Sequence, residues 1–211
     1  MNSLDIIVVS NQLVVELSPL MSELEGYIET KNFSLQKIIP TCINASAAVN
    51  RNHGLKQSDS DFVIMVDDDI YGYYHNWIDD LLTPVVLNKK AYISARLMRP
   101  DGTQGIMMDD GKSDVKTPLL SVLGIPTSAV GFYRRLTENI SFNEDYIGSG
   151  FEDTQFCIEM RELAGAEVLI NNKCKLIHVN ERKSQDGVYW DYNSNIFETW
   201  KKSFEERLVI A

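Results

Sequence analysis

Five apolar residues, Phe62-Val63-Ile64-Met65-Val66, run without a break into Asp67-Asp68-Asp69. The run has the length and composition of a strand, and it ends where three carboxylates begin. Side chains alternate along a strand, so Asp67 and Asp69 converge on one ligand while Asp68 points away. Three adjacent carboxylates repel one another, and a divalent cation would remove that cost. Hard oxygen ligands select Mg2+ or Mn2+. The carboxyl ends of parallel strands are also where open α/β sheets bind ligands. Taken alone, the three aspartates fit an acidic turn capping the next helix equally well.

The preceding residues supply a sheet for this strand to join. Leu4 to Val9 is an apolar run, continuous after one acid, Asp5, the pattern of a strand buried on both faces. Ser18-Pro19 opens a helix to about Glu29, with Ser18 as N-cap and Pro19 at its first position. Leu35 to Ile39 is a second strand, and Asn44 to Gln57 a helix rich in alanine. Strand and helix therefore alternate, which predicts an α/β fold with a mostly parallel central sheet flanked by helices. Further on, Trp77 to Leu87 reads as a helix and Ala91 to Leu97 as a strand. The polar, glycine-bearing stretch from Pro100 to Asp114 reads as a mobile surface loop. A helix from Glu152 to Ala164, strands from Glu167 to Ile170 and Lys175 to Val179, and a helix from Trp190 to Arg207 complete the chain. Trp190, Phe197, Trp200 and Phe204 recur at helical spacing and read as a packing face.

A second acidic pair follows two glycines in Gly148-Ser149-Gly150-Phe151-Glu152-Asp153. A carboxylate opening a helix sits by the positive end of its dipole, which holds it ionised. Near a hydroxyl, such a group meets the requirement for a general base. The same pair alone also fits the ordinary acidic preference of helix starts. His178 closes the apolar Leu176-Ile177, and it becomes a metal ligand only if the fold brings it to the aspartates.

The totals bound the class of protein. A length of 211 residues suits a single domain over 1–211. Thirty acidic against twenty basic side chains leave a formal charge of -10, which argues against a general binder of nucleic acid or anionic membrane. Three scattered cysteines, Cys42, Cys157 and Cys174, read as reduced thiols. No apolar run is long enough for a membrane span, and Met-Asn-Ser-Leu-Asp lacks the features of a signal peptide. The expectation is a cytoplasmic protein.

In this order, Arg51-Asn52-His53-Gly54-Leu55, Phe62 to Asp69, Gly150 to Asp153 and His178 resemble the motifs of family-two inverting glycosyltransferases of GT-A fold. The resemblance extends from about Leu4 to His178. It implies transfer of a sugar from a nucleotide-sugar donor, by default a UDP-sugar, to a hydroxyl acceptor. It puts Arg51, Asp67 and Asp68 at the donor, and Asp67, Asp69 and His178 on Mn2+ or Mg2+. It makes Asp153 the base and Glu152 the residue that orients the acceptor. The chain departs from the family in two turns. Ser10-Asn11-Gln12 follows the first strand, and Pro40-Thr41-Cys42-Ile43-Asn44 lacks the acid that usually grips the base.

Two other readings remain. A nucleotidyltransferase also uses strand-end carboxylates, but would carry a glycine- and lysine-rich loop, which Ser10 to Pro19 does not. A non-catalytic sugar- or cation-binding module would keep the shape without turnover. Possible acceptors are a glycan, a protein, a lipid-linked sugar or a hydroxylated base in nucleic acid. The acidic balance disfavours the last, although Lys112, Lys116, Arg134 and Arg135 could form a local basic patch.

Overall fold

One mixed sheet carries the chain, with helices on both faces. The computed structural model describes residues 1–10, 19–41, 43, 45–105, 117–179 and 187–210. The strands are β1 (Asn2–Val9), β2 (Phe33–Thr41), β3 (Phe62–Asp67), β4 (Ile70–Tyr71), β5 (Ala91–Met98), β6 (Leu119–Ser121), β7 (Ala129–Tyr133) and β8 (Glu167–His178). The helices are α1 (Pro19–Gly26), α2 (Ala47–Gln57), α3 (Trp77–Leu87), α4 (Glu152–Ala164) and α5 (Trp190–Ile210). The spatial order is β2-β1-β3-β7-β5-β8-β4, with β6 beside β8.

β1 pairs in parallel with β2 and β3, and β5 with β8, as the strand–helix alternation predicts. The short β7 is inserted antiparallel between β3 and β5, and β4 and β6 run antiparallel to β8. The five long strands thus share one direction and deliver their carboxyl ends to one edge. Alternation divides their side chains between two cores. Leu4, Ile6 and Val8 pack with α1 and α3, whereas Ile7 and Val9 pack with α2 and α4. The apolar side chains of β3 are almost wholly buried, each worth roughly 1.5–3 kcal/mol.

Sequence and structure differ in the strands: β4, β6 and β7 have no predicted counterpart, and β8 is longer than expected. The predicted strands at Glu167 to Ile170 and Lys175 to Val179 are one continuous β8, irregular where Ala95 faces Asn171 but Arg96 faces Lys175. The polar Asn171-Asn172-Lys173 breaks the apolar pattern, yet its amides are used inside the fold. Asn172 Oδ1 accepts from Arg96 Nε at 2.6 Å, and Asn171 Nδ2 donates to the Asp80 carbonyl at 2.7 Å. Most of the predicted Pro100–Asp114 loop, Ser18, Cys42, Lys112 and Lys116 lie outside the described residues. Arg134 is spent on the Leu55 carbonyl at 2.9 Å, and Arg135 reaches Glu138 at 3.9 Å. Cys157 and Cys174 are buried free thiols. Among the described residues no helix is long and apolar enough to cross a membrane.

Candidate active site

The three aspartates leave β3 at the point where three strand ends meet. Asp67 N donates to the Ser128 carbonyl at 2.9 Å, and Asp68 N to that of Val9 at 2.9 Å. The Asp69 carbonyl accepts from Val179 N at 3.0 Å. The turn at Asp68-Asp69 leads directly into β4, whose Ile70 pairs with His178 of β8. A residue over one hundred positions away is thereby delivered to the aspartates by sheet register. Carboxylate oxygens of Asp67 and Asp69 and a ring nitrogen of His178 all lie within 4.8 Å of one another. His178 Nε2 is 3.3 Å from Asp69 Oδ1. Two carboxylate oxygens and an imidazole can serve as ligands of a divalent cation, and the three groups make a candidate metal triad. Asp68 turns away, as alternation predicts, and its carboxylate accepts from Ser10 Oγ.

Asp67 also belongs to a second cluster. Arg51, on α2, is 3% exposed and donates through Nη2 to Asp67 Oδ1 at 3.2 Å. Its Nη1 donates to Glu152 Oε1 at 3.3 Å and to Asp153 Oδ1 at 3.1 Å. The helix reaches this depth because Gly54 lies against β1, where an added Cβ would come within 2.3 Å of Ile7 Cγ2. Burial works against the guanidinium's charge, but Asp153, Asp67 and Glu152 outweigh it and hold its pKa well above the ordinary value. Arg51 is expected at the donor, and the described geometry commits its Nη atoms to carboxylates. Its buried Nε has no hydrogen-bond partner among the described residues.

Glu152 and Asp153 open α4 after a turn of unusual backbone. Gly148, Gly150 and Phe151 have φ of 67°, 116° and 72°, so a non-glycine residue sits in the left-handed region immediately before the pair. Phe151 is held there by its ring, 4.5 Å from that of Trp190 and 5.2 Å from that of Phe197. The aromatic face predicted for α5 is thus a packing face, and one of the things it packs is this turn. Glu152 is 3% exposed and accepts from Gly150 N. Burial, then the neighbouring Asp153, pushes its carboxyl up to about 7 against the pull of Arg51. Burial also raises the Asp67 carboxyl, again opposed by Arg51.

Asp153 differs from its neighbour in exposure. Its side chain is 19% exposed, Oδ1 also accepts from Thr127 Oγ1 at 2.5 Å, and Oδ2 has no partner among the described residues. Thr127 in turn accepts from the buried Tyr92 hydroxyl at 3.4 Å. Sequence reasoning missed Thr127 and Tyr92. The only signal was a Thr-Ser pair before a strand, which is common in turns that carry no chemistry.

No protein-family model and no curated protein sequence matches this chain. Among solved structures, GalNAc-T7 with UDP, GalNAc and Mn2+ superposes with a TM-score of 0.65 at 12% identity. The match covers 87% of this chain but 44% of that one, so the chain spans under half of its length. The fold is therefore GT-A-like.

Proposed function

We propose that the protein is a metal-dependent glycosyltransferase that moves a sugar from a nucleotide-sugar to a hydroxyl acceptor. One observation carries this reading: the Asp67–Asp69–His178 triad and the Asp153 carboxylate stand at one sheet edge, joined through Arg51. The likeness to a structure holding UDP and Mn2+ supports a nucleotide-sugar, with a UDP-sugar the first donor to test. Asp67, Asp69 and His178 would hold Mn2+ or Mg2+, which offsets the charge gathering on a leaving diphosphate.

The chain's own residues then divide the work. Asp153 receives the acceptor proton on Oδ2, because its other oxygen is engaged by Arg51 and Thr127. Glu152 stays beneath, tied to Gly150 and Arg51, and fixes the start of α4. Asp68, whose carboxylate holds Ser10, supports the donor side from behind. Attack from the Asp153 side, opposite the departing diphosphate, inverts the anomeric centre in one displacement.

A nucleotide-sugar panel with and without Mn2+ tests this by thermal shift, because a ligand of the native state raises the melting temperature by mass action. The reading requires one donor to stabilise the protein only with metal, and donor hydrolysis to stop in EDTA. Equal hydrolysis with and without EDTA would overturn the metal role. Anomeric NMR of the product settles inversion. Cleavage between the α- and β-phosphates instead would favour a nucleotidyltransferase.

A further inference from the structure

We propose that the turn before Glu152 carries a subsite for a neutral carbohydrate, formed by the exposed Tyr189 ring and the hollow beside Gly148. The proposal deepens the glycosyl-transfer reading by naming the acceptor class. The hollow, about 390 Å3, is bounded by Ser46, the N-cap of α2, by Val49 of α2 and by Glu144, Tyr146, Ile147 and Gly148. It is open to solvent rather than enclosed. On the α5 side of the same turn, Tyr189 lies 3.4 Å from where a Gly148 Cβ would be, and 47% of it is exposed. Tyr192, one helical turn on, is 51% exposed. Gly148 is five residues from Asp153 and belongs to the turn that sets that carboxylate.

This ledge is built. Asn193 of α5 is fully buried and spends its whole amide on the turn. Its Oδ1 accepts from Ile147 N at 3.1 Å, and its Nδ2 donates to the carbonyls of Ile147 at 2.9 Å and Ser149 at 3.3 Å. On the other flank Ala47 N donates to the Gly148 carbonyl at 3.3 Å. The turn is therefore fixed between α2 and α5, with an open surface left over it. The hollow offers an exposed Ile147 side chain and the Glu144 carboxylate, one of whose oxygens accepts from Asn52, and the Tyr189 ring lies beside Gly148, which lines it. An aromatic face suits the C–H face of a sugar ring, and a carboxylate oxygen accepts from its hydroxyls. Among the described residues, the charged side chain lining the hollow is Glu144, an acid, which disfavours phosphorylated acceptors and nucleic acid there.

The test uses the whole chain and two independent titrations. Saturation-transfer NMR with cellobiose, maltotriose, lactose and N,N′-diacetylchitobiose reads the ledge without any donor. UDP with Mn2+, followed by calorimetry, reads the nucleotide half. At least one saccharide is expected to bind wild type and Tyr189→Phe alike, and Tyr189→Ala roughly tenfold more weakly, the loss of about one ring stack. Ile147→Trp, which fills the hollow, should do the same. Saccharide binding without UDP binding keeps the subsite and sinks the nucleotide-sugar reading. UDP binding with no saccharide bound, or with binding equal in Tyr189→Ala, overturns the subsite alone. Preferential binding of a single-stranded oligonucleotide also overturns it.

Discussion

Asp67 and Asp69 have 20% and 19% of their side chains exposed, and among the described residues the buried Arg51 reaches Asp67 but not Asp69. Glu152 and Asp153 open a helix, and the same Arg51 binds both. Similar carboxylates therefore stand in different debts of charge. One guanidinium faces three acids and cannot neutralise them. Glu152 meets part of the deficit by holding its proton up to about pH 7. Burial raises the Asp67 carboxyl as well, against the pull of Arg51, but the two carboxylates and the imidazole of the triad are partly exposed and remain suited to a cation from solution. Burial decides which acid keeps a proton, and exposure decides which can take a ligand.

The largest effect should come from removing the exposed member of the Arg51 cluster. Asp153→Asn keeps shape and hydrogen bonding but cannot accept a proton. Transfer should fall by about 10²–10⁴-fold, while calorimetry shows UDP and Mn2+ bound as in wild type. Retained transfer would move the base elsewhere. Lost UDP binding would mean that the Arg51 cluster and the triad are one site, and the contrast between them would collapse. Arg51→Met probes the shared cation and should cost about 3–5 kcal/mol of stability by leaving buried acids uncompensated. Chemical denaturation measures it. A loss under about 1 kcal/mol would mean that these acids are already neutral in the fold.

How much of this was legible follows from the range of each interaction. β1, β2, β3 and β5, with α3 and α4, were readable because burial imprints a local period. Trp77–Leu87 and Glu152–Ala164 were read to the residue, whereas the short β6 and β7 were not read at all. The turning away of Asp68 was legible from alternation alone. The register that brings His178 beside Asp69 was not, because it depends on β4, two residues long and without a period of its own. Arg51 was found as part of a motif, but its partners lie 16, 101 and 102 positions away. No local pattern reports that it serves three carboxylates. β8 was split in two because three polar residues look like a turn until Arg96 and Thr117 are seen to use them.

A smaller effect separates the two clusters by metal. Asp69→Asn should weaken Mn2+ binding by roughly 10–100-fold or more, a loss typical even of groups that only support a ligand. His178→Ala should act in the same direction with little change in melting temperature. Glu152→Gln should leave Mn2+ affinity within a factor of about three, a few tenths of a kcal/mol, since its carboxyl lies on the far side of Arg51. Titration followed by Mn2+ electron paramagnetic resonance distinguishes these cases. If His178→Ala lowers the melting temperature and leaves the titration unchanged, the histidine is structural.

The smallest effect concerns the proton on Glu152, and it has a defined sign. The folded protein holds that carboxyl at about 7, above its ordinary 4.5. Between those values the folded state binds more protons than the unfolded one, so this group's contribution to stability is greatest below about pH 4.5 and is lost as pH rises through 7. Glu152→Gln has no proton to lose, and whatever its amide costs beside Arg51 is the same at every pH. With EDTA present to exclude cations, the melting temperature of wild type should therefore fall relative to the variant from pH 5 to pH 8. A tenfold difference in proton affinity between the folded and unfolded states is worth about 1.4 kcal/mol, and a domain of this size converts 1 kcal/mol into about 2–4 °C. Other carboxylates titrate in both proteins and cancel in the difference. Parallel profiles would mean that Glu152 binds no extra proton on folding in this range, and the contrast in charge between the two clusters would fail.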